Sequence, residues 1–224
     1  MKTYLGYLFV VLAAGAACST PVGTERIKAE RTLPFYDSAD FTPTWQAGDA
    51  QTVHRIRPFR LVDQRNAPFT EADLHGRIAV VDFFFTTCPA ICPLMATSMG
   101  DVQKAFLDDD RVVLLSHSVT PDTDTPEVLA TYAEAHGVRF DKWKLLTGSK
   151  SEIYDLGRRD YFVDEDLGAT RNEDDFLHTE NFILIDGQRR IRGIYNGLDP
   201  DSIRSLIADI TVLEREQTTA EGES

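Results

Sequence analysis

Two stretches of this chain are apolar almost without interruption. Arg77–Phe85 carries Ile78-Ala79-Val80-Val81 and Phe83-Phe84-Phe85 around a single acidic residue, Asp82. Val112–Val119 repeats the pattern with Val112-Val113-Leu114-Leu115. Runs of this length with little polar alternation predict central strands covered on both faces. Shorter patterned segments lie around them. Thr52–Val62 and Ala67–Thr70 flank the turn-forming Asp63-Gln64-Arg65-Asn66, which predicts a hairpin ahead of the first buried strand. Glu71–Leu74 reads as a helical turn closed by Gly76, and Pro93–Phe106 as a helix ended by Asp108-Asp109-Asp110. Thr125-Pro126 has the form of an N-cap followed by a first-turn proline, and its helix runs to His136-Gly137. Trp143–Leu146 predicts a short strand and Ser149–Arg159 a helix. Asn181–Asp186 and Arg190–Tyr195 form a second hairpin, and Asp199-Pro200 opens a last helix to about Leu213. The order βαβαββα predicts an α/β sandwich: a central mixed sheet flanked by helices, with an N-terminal β-hairpin and right-handed crossovers between the parallel strands.

The first buried strand ends in chemistry. Thr86-Thr87-Cys88-Pro89-Ala90-Ile91-Cys92-Pro93 follows it directly. Pro93 cannot lie inside a helix begun at Cys88, because it has no N–H for the carbonyl four residues back. It fits the first helical position, with Cys92 as N-cap and Cys88 in the preceding loop. The positive end of the helix then favours a thiolate at Cys92. Two sulfurs four residues apart can converge on one ion or close a small disulfide.

With 224 residues and 42% hydrophobic content, the chain can form one domain with a sizeable core. A net charge of −13 argues against nucleic acid and anionic membrane as electrostatic partners. Residues 1–17 read as a signal peptide: one Lys, an apolar segment from Leu5 to Leu12, then Ala13-Ala14-Gly15-Ala16-Ala17 before Cys18. Small residues ending at a cysteine resemble a bacterial lipobox, so Cys18 is the expected lipidation site. The alternatives are simple cleavage and an uncleaved anchor. Each puts the domain outside the cytoplasm, where disulfides form. Residues 18–50 read as a tether, 51–214 as the folded domain and 215–224 as an acidic, unstructured tail. Of three cysteines, Cys88 and Cys92 form the expected pair.

A cysteine pair where a central strand meets its helix is the thioredoxin arrangement. Beyond that, Phe84–Pro93, Thr120-Pro121-Asp122-Thr123-Asp124-Thr125-Pro126, and His178 ahead of the Phe182–Asp186 strand together resemble the Sco/SenC family. Members of that family are thioredoxin-fold proteins that bind copper and support assembly of the copper centre of cytochrome c oxidase. The resemblance covers about residues 50–213, and the family often has Asp where Thr120 stands. It implies copper, as Cu(I) or Cu(II), held by Cys88, Cys92 and His178. Two thiolates and an imidazole are a soft donor set suited to Cu(I). Structural zinc normally takes four protein ligands, and three suit an ion meant to be handed on. The implied partner is a copper-accepting subunit of cytochrome c oxidase or another copper chaperone. The implied location is the bacterial envelope, with a lipid anchor to the membrane and the domain facing the periplasm.

Asp82 supports a second reading, a thiol–disulfide oxidoreductase acting on copper-site proteins. Thioredoxin-type reductases carry a buried Asp six residues before the first cysteine, where it exchanges protons with the second; burial raises its pKa. Against this reading, no proline lies between Pro126 and Pro200, where those reductases place the residue that substrates dock on. A peroxiredoxin-type activity needs a Thr where Phe85 stands. His117, inside the second strand, reads as structural, and His54, His75 and His136 carry no signal. Asp160–Asp175, with seven acidic residues and one Arg, reads as an exposed loop or a docking surface for a basic partner.

Overall fold

The computed structural model describes residues 31–45, 53–163 and 179–222. Their elements are strands β1 (Phe35–Tyr36), β2 (Pro43–Thr44), β3 (Arg60–Asp63), β4 (Pro68–Thr70), β5 (Ile78–Phe84), β6 (Val112–Ser118), β7 (Trp143–Thr147), β8 (Asn181–Ile185) and β9 (Ile191–Asn196). The helices are α1 (Ile91–Ala105), α2 (Pro126–Ala135), α3 (Lys150–Asp155) and α4 (Pro200–Gly222). One nine-stranded sheet takes the order β2-β1-β9-β8-β5-β6-β7-β3-β4. β5, β6 and β7 are parallel, while β8 runs antiparallel to β5 and β3 antiparallel to β7. This is the mixed sheet expected from the element order.

β5 and β6 are buried at every position, as their unbroken apolar runs require. Successive side chains point to opposite faces, so each strand feeds two cores. Val80, Phe84, Val112 and Leu114 pack with Met95, Met99 and Val102 of α1, Leu129 of α2 and Leu206 of α4. Val81, Phe83, Val113 and Leu115 pack on the other face with Phe59, Ile153, Leu156 and Tyr161. The hairpin β3–β4 turns where Asp63 Oδ1 accepts the N–H groups of Arg65 and Ala67 at 2.9 and 3.0 Å, with Asn66 left-handed at φ 56°. α2 begins as expected: the Thr125 hydroxyl accepts the Val128 N–H and Pro126 takes the first position. It ends at Gly137, whose φ of +66° a residue with a side chain rarely adopts.

Three expectations are corrected. α4 does not stop near Leu213 but continues through Gly222, so most of the 215–224 stretch is helix. Contacts remote in sequence hold it. Glu216 accepts the Leu33 N–H at 2.7 Å and pairs with the buried Arg192 at 2.6 Å. Arg192 also donates to the carbonyls of Leu33 and Pro34, so the end of α4 and the Leu33–Pro34 segment hold each other. Second, Asp160 is no part of an exposed loop. It closes a π-helix, Leu156–Asp160, is buried, and accepts the Arg57 N–H at 2.9 Å. Third, α1 starts at Ile91, before Cys92. Residues 1–30, with the signal segment and Cys18, lie outside the described residues, as do 164–178 with His178. No helix among the described residues is long and apolar enough to cross a membrane.

Candidate thiol site

Parallel β5 and β6 both end on the same side of the sheet, and the cysteine loop leaves from there. Cys88 closes a turn, its N–H donating to the Phe85 carbonyl at 3.3 Å. Helix α1 then begins without a side-chain cap from Ala90. The sulfur of Cys88 takes that place: it accepts the Cys92 N–H at 3.5 Å. Cys92 therefore lies in the first turn, and Pro93 follows it where its missing N–H costs no intrahelical bond.

This register inverts the expected thiol chemistry. Burial alone raises the Cys88 pKa, but the Cys92 thiol and the N–H groups of Ala90, Cys92 and Ile91 hydrogen-bond to its sulfur, and the net shift is downward. Cys92 is 4% exposed and is pushed up to about 12, first by burial, then by its hydrogen bond to Cys88 and by the charges of Cys88 and Asp82. The thiolate favoured by the helix end is thus Cys88 and not Cys92. Both cysteines are free: one half-buried and primed to ionise, its neighbour buried and protonated.

Asp82 lies behind them. On β5 it points to the same face as Val80 and Phe84, the face that packs against Cys92. It is 2% exposed, and burial raises its pKa to about 7 against a hydrogen bond from Ser116 on β6. Its Oδ1 has no partner. Ser116 also accepts the Trp143 indole N–H at 2.8 Å, which locks this polar line into the core. Tyr132 of α2 closes the side, its ring 5.2 Å from Phe84. Burial and the charges of Asp82, Cys92, Cys88 and Asp124 all raise its pKa.

Asp124 was not singled out from the sequence. It is fully buried and accepts four hydrogen bonds, two of them from Thr86 in the cysteine loop. The available signal was an acidic residue close after the hydroxyl residues Ser118 and Thr120, but only the fold brings Thr86 to it. His117 faces the opposite core, stacked on Phe83 at 5.0 Å. It is fully buried, neither ring nitrogen has a partner, and burial lowers its pKa to about 3. It takes no part in the thiol site. His54 hydrogen-bonds the Asp160 carbonyl, and His136 stacks on Tyr132 at 4.1 Å. Among the described residues, no group of three or more His, Cys, Asp or Glu side chains is placed to hold a metal. Cys88 and Cys92 offer two soft donors, and the expected third ligand, His178, lies outside the described residues.

The SCO1/SenC family model matches residues 47–213. Among solved structures, a SCO1/SenC family lipoprotein from Bacillus anthracis is similar at 29% identity and a TM-score of 0.63, over 72% of this chain and 95% of that one. BsSco, a member of the Sco family of cytochrome c oxidase assembly proteins described as having a disulfide switch, is similar at 28% identity and 0.61, over 74% and 95%. ScoI from Bradyrhizobium japonicum, solved with copper bound, is similar at 26% identity and 0.54, over 68% and 96%.

Proposed function

Because the chain belongs to the SCO1/SenC family, we propose that it is a copper carrier of the cell envelope. It holds copper on Cys88, Cys92 and His178 and supports assembly of the copper centre of cytochrome c oxidase. The observation that carries this reading is the pair of free, adjacent thiols at the head of α1, one of them with its pKa lowered by hydrogen bonds to its sulfur. The donor chemistry fits Cu(I), which soft sulfur ligands select. Relatives described as copper-bound and as oxidase assembly factors support the same assignment.

The residues divide the work. Cys88 sits half-exposed at the tip, where an incoming donor reaches it first. Cys92 must lose its proton before it can bind a metal or form a disulfide, and Asp82, a buried carboxyl whose charge acts on Cys92, is able to take it. With a pKa of about 7, that carboxyl is divided between its two forms near neutrality. Oxidation to a Cys88–Cys92 disulfide removes both sulfurs as ligands, so the redox state gates loading. Copper is the cargo in this scheme and passes to a copper-accepting oxidase subunit or to another copper chaperone. Cys18 carries the lipid that holds the domain at the membrane, facing the periplasm. Cys18→Ala should release the protein to the soluble envelope fraction, and unchanged fractionation with an unmodified Cys18 excludes the anchor.

The buried Asp82 with its unpartnered oxygen favours a second reading, a thiol–disulfide oxidoreductase. His178 separates the two. His178→Ala is expected to weaken Cu(I) binding sharply while leaving reduction of a test disulfide nearly unchanged. Asp82→Asn is expected to keep copper and slow thiol exchange. The comparison is made at fixed pH by chelator competition on reduced protein. If His178→Ala binds copper like the parent, the three-ligand carrier is wrong and the reductase reading replaces it.

A further inference from the structure

We propose that Asp124 positions the thiol loop: its buried carboxylate holds Thr86, two residues ahead of Cys88, and so sets how the two sulfurs face each other or a shared ion. The inference rests on Cys88 and Cys92 being the working pair.

Asp124 is 0% exposed. Its Oδ1 accepts the Thr86 hydroxyl at 2.5 Å. Its Oδ2 accepts the Thr86 N–H at 3.2 Å, the Ser118 hydroxyl at 2.6 Å and the Thr120 hydroxyl at 2.9 Å. Every partner is an N–H or O–H donor, which suits an acceptor-only carboxylate. The carboxylate is itself fixed in place. The Asp124 N–H closes a turn onto the Thr120 carbonyl at 2.9 Å, and the next residue, Thr125, caps α2. The cysteine loop is the more solvent-exposed of the two segments. Thr87, Pro89 and Ala90 are exposed on its outer side. Thr86 is the second residue of the turn that the Cys88 N–H closes onto Phe85, so holding Thr86 by both its backbone and its side chain holds the turn. Asp124 thereby joins the ends of β5 and β6 and the start of α2 at the point where the sulfurs are presented.

A carboxylate that merely ties the fold together would make all of its donors equivalent. One that positions the loop makes the Thr86 side special. Thr86→Val and Thr120→Val each remove one hydroxyl donor from the same carboxylate, but only Thr86 belongs to the thiol loop. Asp124→Asn keeps the shape and can still accept the Thr86 N–H, whereas Asp124→Ala cannot. The experiment uses the full chain and three readouts: Tm, Cu(I) affinity by chelator competition, and the Cys88–Cys92 disulfide equilibrium against glutathione, in which one oxidised glutathione yields two reduced molecules per disulfide formed.

Thr86→Val is expected to lower both the disulfide equilibrium constant and the Cu(I) affinity by about tenfold, the scale of one charge-assisted hydrogen bond. Thr120→Val should lower Tm about as much as Thr86→Val does while leaving both constants within about twofold of the parent. Asp124→Asn should lie between the parent and Thr86→Val. If Thr86→Val and Thr120→Val are alike in the disulfide equilibrium, the positioning role is overturned, even if copper binds. If the disulfide equilibrium separates them while the parent binds no copper, the positioning role stands and the carrier reading falls.

Discussion

Asp82 should cost this protein stability at the pH where it is useful. A carboxyl group with an ordinary pKa of 3.8 is raised to about 7 on folding because it is buried behind Cys92 with one oxygen unpartnered. Between these values the unfolded chain ionises Asp82 while the folded chain keeps it protonated. Raising the pH therefore draws the equilibrium toward the unfolded state. The contribution is fully favourable below about pH 4 and is lost as pH rises through 7. A shift of about three units, at about 1.4 kcal/mol each, corresponds to about 4 kcal/mol by pH 8. That is a large fraction of the stability of an ordinary domain. Asp82→Asn fills the same space without a titrating group, so it should remove this slope. The variant should match the parent to within about 1 kcal/mol at pH 4.5 and exceed it by about 3–4 kcal/mol at pH 8. The measurement is urea unfolding of the reduced protein at half-unit steps from pH 4.5 to 8.5. Taking variant minus parent at each pH cancels the other titrating groups. A difference that stays flat with pH would refute the argument, because a carboxyl with an ordinary pKa adds no slope above pH 5. A sloped difference together with slowed thiol exchange would identify Asp82 as a residue kept for chemistry at the expense of the fold.

His117 gives the opposite slope. Its pKa is lowered on folding from 6.5 to about 3, so stability should be lost as pH falls below 6.5; His117→Phe, stacked on Phe83, should gain about 3 kcal/mol over the parent between pH 7 and pH 4 in urea unfolding. Glu216→Ala leaves the 3% exposed Arg192 side chain without one of its two carboxylate partners and frees the Leu33 N–H, so it should cost about 3 kcal/mol and expose the segment around Leu33 to proteolysis; an unchanged Tm would show that the clasp is not needed. Oxidised protein should bind Cu(I) far more weakly than reduced protein in chelator competition, and equal affinities would exclude the cysteines as ligands.

The central strands, the order of the elements and the place of the thiols were legible in the sequence, but β1 and β2, which join the sheet from within the stretch read as a tether, were not. Unbroken apolar runs can satisfy their side chains only between two covered faces, so β5 and β6 followed from their composition alone. Thr125-Pro126 and Asp63–Asn66 announced a helix start and a turn because their chemistry acts within a few residues. The location of the site was legible too, since cysteines directly after a central strand must sit at the end of the sheet. The residues that tune the site were less so. Whether Cys88 or Cys92 becomes the thiolate depends on a shift of two residues in the helix start, from Pro93 to Ile91, which decides which sulfur receives the free N–H groups. Asp124 was silent because Thr86, which gives it two of its four hydrogen bonds, is 38 residues away in sequence and reaches it only when β5 and β6 pair. Asp160 and the end of α4 look solvated in any local window. The first is buried against Arg57 and the second is held by Leu33 and Arg192, partners more than a hundred residues away for Asp160 and for Glu216 with Leu33. Hydrogen bonds and burial between distant segments leave no periodicity behind, so they become visible once the chain is folded.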